Sequence, residues 1–211
     1  MKFADLLELT GSEPLFESAL LLAGGVDAGD VRRQLSRWTA QGKVVQLRRG
    51  LYALAPPYAR VAPHPFVVAN RLVRPSYVST ESVLASRGMI PEHVPVTTSV
   101  TTGRSGLKRT PLGAFLFRHV MPERFTGYRR EEVARGQHAF VATPEKALLD
   151  LVYLRAGADR PEFLEELRLD GLEQLDRGAL REEARRAGSP KLLRAAAWLA
   201  DRAAEDAGEH A

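Results

Sequence analysis

The clearest pattern of hydrophobic and polar positions is a helical one in residues 31–40. At about 100° per residue, Val31, Leu35 and Trp38 fall on one side of a helix. The other side carries Arg33, Ser36, Arg37 and Ala40, with Arg32 beside them. The pattern therefore predicts a helix that packs through one face and presents a cationic face to its surroundings.

A basic β-hairpin is predicted directly after this helix. Gly42 is expected to end the helix, and residues 43–47 and 51–54 are β-prone. Gly50 permits the positive φ of a tight turn, with Arg48 and Arg49 at its tip. A helix narrow enough for the major groove, beside a hairpin that can reach phosphates or the minor groove, is typical of a winged helix-turn-helix DNA-binding domain. The alternative is a solvated basic helix on a small packing module.

Two further helices are predicted before the cationic one. Residues 2–9 have apolar positions at helical spacing, and residues 15–23 follow a Ser-Glu-Pro start signal. Gly24 and Gly25 are expected to form a turn, after which Asp27 can cap the next helix. The expected order is thus helix, helix, turn, helix and hairpin.

A proline-rich linker in residues 55–65 predicts a boundary between two domains, residues 1–57 and residues 58–211. In the second domain, helices are expected at 66–73, near 80–87 with Ser79 or Thr80 as the cap, from Thr143 onward, and through most of 161–205. Strands are expected at 77–79, 94–102, 112–120 and 138–142, with a basic turn at 103–110. The predicted fold class is α+β, with a mixed α/β second domain and a helical tail.

Charge is distributed unevenly along the chain. The net charge is +4, but residues 31–80 hold nine Lys or Arg and no Asp or Glu. Residues 1–122 have a net charge of +7, whereas residues 123–211 have a net charge of −3. A basic front half can neutralise phosphates and release counterions, which is the main source of sequence-independent DNA affinity. The acidic remainder is better suited to contacts with protein. The turn at 103–110 could be a second phosphate contact or simply a solvated turn.

The sequence contains few groups that could carry catalysis. It has no cysteine, its five histidines lack metal-binding helical spacing, and it has neither a phosphate-binding glycine loop nor a nucleophile elbow. Glu145, Lys146 and Asp150 form the one carboxylate cluster worth considering, but they lie on a predicted helix. We therefore expect Glu145 to stabilise the start of that helix and Asp150 to lie on its polar side. No enzyme activity, metal or cofactor is predicted.

No stretch of about twenty apolar residues is present, so no membrane-spanning helix is predicted. The N-terminus has acids within its apolar pattern and no small-residue cleavage site, which argues against a secretion signal. A cytoplasmic protein is therefore expected.

Three stretches together resemble the AbiEi-type antitoxins of abortive-infection toxin–antitoxin systems. They are QGKVVQLRRGLYAL at 41–54, RPSYVSTESVLASRGMIPE at 74–92 and VATPEKALLDLVYL at 141–154. The resemblance covers most of residues 12–155. It implies a cytoplasmic protein whose winged helix binds inverted repeats in its own promoter, and whose second domain counteracts a nucleotidyltransferase-like toxin. The DNA-contacting positions that match are Arg32, Arg33, Ser36, Arg37, Lys43, Arg48 and Arg49.

Two other classes of function stay open at this point. The chain could be a stand-alone transcriptional regulator whose second domain senses a ligand or a partner. It could also be a nucleic-acid-modifying enzyme that uses the second domain. A neighbouring nucleotidyltransferase-like gene would favour the antitoxin, and Mg²⁺-dependent cleavage of DNA would favour the enzyme.

Overall fold

The computed structural model describes residues 1–22 and 26–209, with the side chains of 207–209 left aside. The described helices are α1 (Phe3–Thr10), α2 (Ala28–Ala40), α3 (Pro65–Leu72), α4 (Glu81–Ser86), α5 (Pro144–Leu154), α6 (Pro161–Glu166), α7 (Arg177–Ala187) and α8 (Pro190–Glu209). The described strands are β1 (Phe16–Glu17), β2 (Val44–Arg48), β3 (Leu51–Leu54), β4 (Ser76–Val78), β5 (Val96–Thr101), β6 (Gly106–Thr110), β7 (Gly113–His119), β8 (Tyr128–Ala134) and β9 (Gln137–Ala142). The mixed α+β class is confirmed.

The N-terminal unit packs α1 and α2 against a small antiparallel sheet with the strand order β1-β3-β2. The predicted helix at residues 31–40 is confirmed as the greater part of α2. The Asp27 side chain caps it by accepting a hydrogen bond from the Asp30 amide at 2.9 Å. Gly42 follows the helix with a φ of 67°, a conformation that strains any other residue. The small core contains Leu6, Phe16, Leu21, Val31, Leu35, Trp38, Val44, Tyr52 and Leu54.

The helix predicted at residues 15–23 is wrong. Phe16 and Glu17 instead form β1, which pairs with β3, and a short 3-10 helix occupies Ser18–Leu22. Pairing with β3 satisfies the backbone of this segment, and the Ser18 amide donates to the Gly50 carbonyl at 2.9 Å. These partners lie more than thirty residues away in sequence, so local periodicity could not indicate them. The predicted turn at Gly24 and Gly25 lies outside the described residues.

The second sheet has six strands in the order β6-β7-β5-β4-β9-β8. Strand β4 runs parallel to β9 and β5 runs parallel to β7, while the other neighbours are antiparallel. Tyr77, Val100 and Phe115 on its inner strands are at most 1 % exposed. Helix α8 packs on α5 and α7. The tail after α5 therefore covers α5 and extends the larger core.

Two strands differ from the sequence predictions. The predicted basic turn at 103–110 is mostly strand β6, which pairs with β7 from Gly106 opposite Phe117 to Thr110 opposite Gly113. Strand β8 was not predicted at all. Both strands lie at edges of the sheet and carry exposed charged side chains, so neither shows the apolar alternation that marks a buried strand.

Helix α4 begins after Thr80, as predicted, but the Thr80 side chain makes no capping hydrogen bond. The tail is less continuously helical than predicted. Helix α6 ends at Glu166, and the segment before α7 contains only a short 3-10 helix at Leu172–Gln174. Gly171, with a φ of 70°, precedes that turn.

The two units share hydrophobic contacts across the linker. Leu15, Leu47, Leu51 and Ala53 belong to the N-terminal unit, yet they pack in the larger core together with α3 and the six-stranded sheet. Strand β2 also lies against β6. The segment between β3 and α3 is irregular, as its prolines predict. One hydrophobic core therefore extends across the predicted boundary near residue 57.

Candidate nucleic-acid interface

The cationic face of α2 is exposed to solvent. Val31, Leu35 and Trp38 are at most 3 % exposed and fix the other face of the helix in the small core. The outward residues are Arg32, Arg33, Ser36 and Arg37, all of them exposed. The predicted division into a packing face and a cationic face is therefore confirmed, and the structure brings these four candidate residues together.

Two of these arginines are bonded to neighbours on their own helix. Arg33 forms an ion pair with Asp30, and Arg37 donates from Nη2 to the Gln34 side-chain oxygen at 2.6 Å. Exposed contacts of this kind contribute only about 0–1 kcal/mol. Either guanidinium group could therefore exchange its present partner for a base or a phosphate at small cost.

An aromatic cluster joins α1, α2 and the segment that follows the hairpin. The Phe3 ring lies 5.3 Å from the Trp38 ring and 4.9 Å from the Tyr58 ring, edge to face in both cases. The Lys43 ammonium lies 5.1 Å from the centre of the Phe3 ring. Lys43 is half-buried, and this cation–π contact places its ammonium group beside α1.

The two arginines at the hairpin tip have different surroundings. Arg48 donates from Nε and Nη2 to the Arg71 carbonyl of α3, at 3.4 and 3.1 Å. Its Nη1 donates to the Arg49 carbonyl at 3.0 Å. The Arg49 side chain is exposed and, in the part of the chain that the structure describes, has no hydrogen bond or ion pair. Arg48 thus holds the tip against the second unit, whereas Arg49 is free to reach a phosphate.

The basic segment at residues 103–110, for which the sequence allows two roles, lies beside the hairpin. Arg104, Lys108 and Arg109 lie on or just before β6, are exposed, and form no ion pair with any described residue. Because β6 lies against β2, these charges extend the basic surface of the hairpin into the second unit. The sequence shows three basic residues within seven positions, but only the fold shows that they lie next to the hairpin.

The Glu145, Lys146 and Asp150 cluster does not lie where it was expected. Asp150 was predicted on the polar side of α5, but it is 2 % exposed. It accepts hydrogen bonds from Tyr77 Oη at 2.9 Å, Ser79 Oγ at 2.7 Å and Lys146 Nζ at 2.7 Å. Every residue of α5 from Glu145 to Val152 is buried, so this part of the helix has no polar side. Lys146 and Asp150 lie one turn apart, and Asp150 faces Tyr77 of β4.

Glu145 is also buried and bonds outside its own helix. Its Oε1 accepts a hydrogen bond from the Asp176 amide at the start of α7, at 3.0 Å. The expectation that it mainly stabilises the start of α5 is therefore incomplete. The Thr143 side chain caps α5 as predicted, accepting from the Lys146 amide at 3.3 Å.

The buried cluster links α5 to β4 and to the segment before β8. Burial raises the pKa of Asp150, and the neighbouring Lys146, Ser79 and Tyr77 oppose that shift. Burial also raises the pKa of Tyr77, and the nearby Asp150 adds to that effect. Lys146 makes a second bond, to the Arg124 carbonyl at 3.0 Å.

No protein-family model matches the chain, and no curated protein matches it in sequence. Within residues 1–22 and 26–209, no helix is both long and apolar enough to cross a membrane. Within the same residues, no group of three or more His, Cys, Asp or Glu side chains is placed to hold a metal ion.

Proposed function

We propose that the chain binds double-stranded DNA through α2 and the β2–β3 hairpin, as a winged helix-turn-helix domain does. The observation that carries this proposal is the exposed arginine face of α2, whose opposite face is packed in the small core. An α-helix fits the major groove, where arginine can donate two hydrogen bonds to the edge of guanine. The adjoining hairpin, and strand β6 which contacts it, supply further cations.

The candidate residues divide into three roles in this proposal. Arg33 and Arg37, four residues apart, are the principal base-reading groups, with Arg32 and Ser36 beside them. Lys43 and Arg49 contact phosphates and add affinity without sequence preference. Arg48 is a positioning residue, because its guanidinium group is bonded to the Arg71 carbonyl.

We further propose that the protein is an antitoxin that represses its own promoter and counteracts a nucleotidyltransferase-like toxin. The support is the resemblance of three segments to AbiEi-type antitoxins, together with the acidic composition of residues 123–211. A toxin that acts on nucleotides or RNA is expected to present a cationic surface, and an acidic partner can bind such a surface through complementary charge. The cytoplasm is the compartment that such a role requires.

The test is a reporter gene placed under the DNA that precedes this chain's own coding sequence. The full chain should repress the reporter, and the Arg33→Ala/Arg37→Ala variant should restore its expression. Arg181→Ala/Arg185→Ala is a matched control, since it removes two exposed arginines four residues apart on α7. Full repression by the Arg33→Ala/Arg37→Ala variant would exclude α2 as the part that binds the promoter.

Growth of cells that co-express a neighbouring nucleotidyltransferase-like gene product tests the antitoxin role separately. Rescue of growth by the full chain supports that role. Repression without rescue would favour the stand-alone regulator, and neither outcome depends on the other.

A further inference from the structure

A cavity of about 580 Å³ lies beside the junction of the two units. It is bounded by α3, the loop before β4, the edge strand β8 with the segment before it, and the neighbouring strand β9. Its apolar walls include Val67, Phe125, Tyr128 and Phe140. The rings of Phe125 and Tyr128 are 5.1 Å apart, and those of Tyr128 and Phe140 are 5.9 Å apart. This volume falls in the range of about 300–1,000 Å³ that small-molecule sites occupy.

The polar lining of this cavity includes three arginines. Arg71, Arg74 and Arg130 contribute to it together with Asn70, Ser76 and His138, and no Asp or Glu does. Among the described residues, Arg130 has no ion-pair partner. An aromatic wall beside several guanidinium groups offers stacking to a flat apolar body and charge-assisted hydrogen bonds to an anionic group. We infer that this cavity binds a small aromatic anion whose ring lies against Tyr128 and Phe140 and whose acidic group is held by arginine.

A carboxylate from the N-terminal unit already occupies two of these arginines. Glu17 Oε1 of β1 lies 3.1 Å from Arg74 Nη2 and 3.6 Å from Arg71 Nη1. An anion in the cavity would compete with Glu17 for the same guanidinium groups. The backbone carbonyl of Arg71 accepts the hydrogen bonds of Arg48, so the site adjoins the contact that holds the hairpin tip. Binding of the anion is therefore coupled to the junction between the units.

The aromatic sulfonate 8-anilinonaphthalene-1-sulfonate is a suitable probe, since its fluorescence rises on entering an apolar site. The full chain should bind one equivalent, without DNA. Arg74→Gln/Arg130→Gln should weaken binding by about tenfold or more, because it removes two of the guanidinium groups that hold the acidic group of the ligand. The matched control is Arg104→Gln/Arg109→Gln, which removes two exposed cations outside the cavity and should leave binding unchanged.

Glu17→Gln should have the opposite effect and tighten binding several-fold, because it frees Arg71 and Arg74. Loss of folding would not produce a tighter single site, so this variant guards against unfolding as an explanation. Thermal unfolding should show that all variants stay folded. Absence of binding, or equal binding to the Arg74→Gln/Arg130→Gln variant, would overturn the site. An unchanged affinity in the Glu17→Gln variant would overturn the competition. These measurements use no DNA, so they stand apart from the proposed function.

Discussion

Replacing Lys146 by methionine tests the buried cluster that joins α5 to β4. Methionine has a similar length but no charge, so it leaves Asp150 with only its two hydroxyl partners. The Lys146 and Asp150 side chains are 8 % and 3 % exposed and their charged atoms are 2.7 Å apart. Removing one partner of a buried pair costs about 3–5 kcal/mol. Since domains of this size are stable by only about 5–15 kcal/mol, the variant should lose a large part of its free energy of unfolding.

The loss should also depend on pH. Burial raises the pKa of Asp150 above its ordinary value of 3.8, and Lys146 opposes that rise. Without Lys146 the folded-state pKa of Asp150 rises further, so the folded variant keeps a proton that the unfolded chain has released. Stability is then lost as the pH rises from the unfolded value through the raised folded value. The Lys146→Met variant should therefore be less stable at about pH 8 than at about pH 5, relative to the parent chain.

The assay is urea unfolding followed by circular dichroism at the two pH values. Lys146→Met/Asp150→Asn should be destabilised less than the sum of the two single variants, because the double variant leaves no unpaired charge. As a control, Arg181→Met breaks the exposed pair with Asp201 and should cost no more than about 1 kcal/mol. A loss below about 1 kcal/mol in Lys146→Met, with no pH dependence, would refute the reasoning.

Three further predictions concern the hairpin tip and the junction between the two units. Arg49→Ala should lower the salt dependence of DNA binding by about one unit of slope, measured in a titration at several salt concentrations. Arg48→Lys should chiefly lower the thermal stability, because lysine cannot donate the two hydrogen bonds that the guanidinium group gives to the Arg71 carbonyl. An unchanged slope would remove Arg49 from the phosphate contacts. A chain that begins at Val61 loses Leu15, Leu47, Leu51 and Ala53 from the larger core, so its melting temperature should fall and it should aggregate more readily. Equal stability of the truncated and full chains would contradict the shared core.

The parts of the fold predicted correctly from sequence are those whose cause is local. Helix α2 follows from apolar spacing and the Asp27 cap, and the hairpin follows from Gly42 and Gly50. The wrong or missing predictions concern strands whose structure depends on pairing with another strand. Strand β1 exists because β3 is beside it, and β6 and β8 exist because β7 and β9 supply their hydrogen bonds. The side chains of these strands do not show the apolar alternation that would have indicated the pairing.

The candidate site shows the same division. The arginine face of α2 could be located by counting residues, but the partner of Arg48 could not. That partner is a carbonyl in the last turn of α3, where the helix itself supplies no donor. The burial of Asp150 had one signal, since the acid stands among leucines four residues after a lysine. Tyr77 and Ser79, more than seventy residues earlier, complete the cluster and could not be inferred from that segment.

The most direct test of the central proposal is fluorescence anisotropy of the full chain with labelled DNA from its own promoter, compared with a scrambled duplex. The parent chain should prefer the promoter, and Arg33→Ala/Arg37→Ala should weaken promoter binding by about thirtyfold or more, from two contacts of about 1–3 kcal/mol each. The Arg181→Ala/Arg185→Ala control should change it little. Equal affinity of the parent chain and the Arg33→Ala/Arg37→Ala variant for the promoter would contradict the assignment of α2 as the DNA-reading helix.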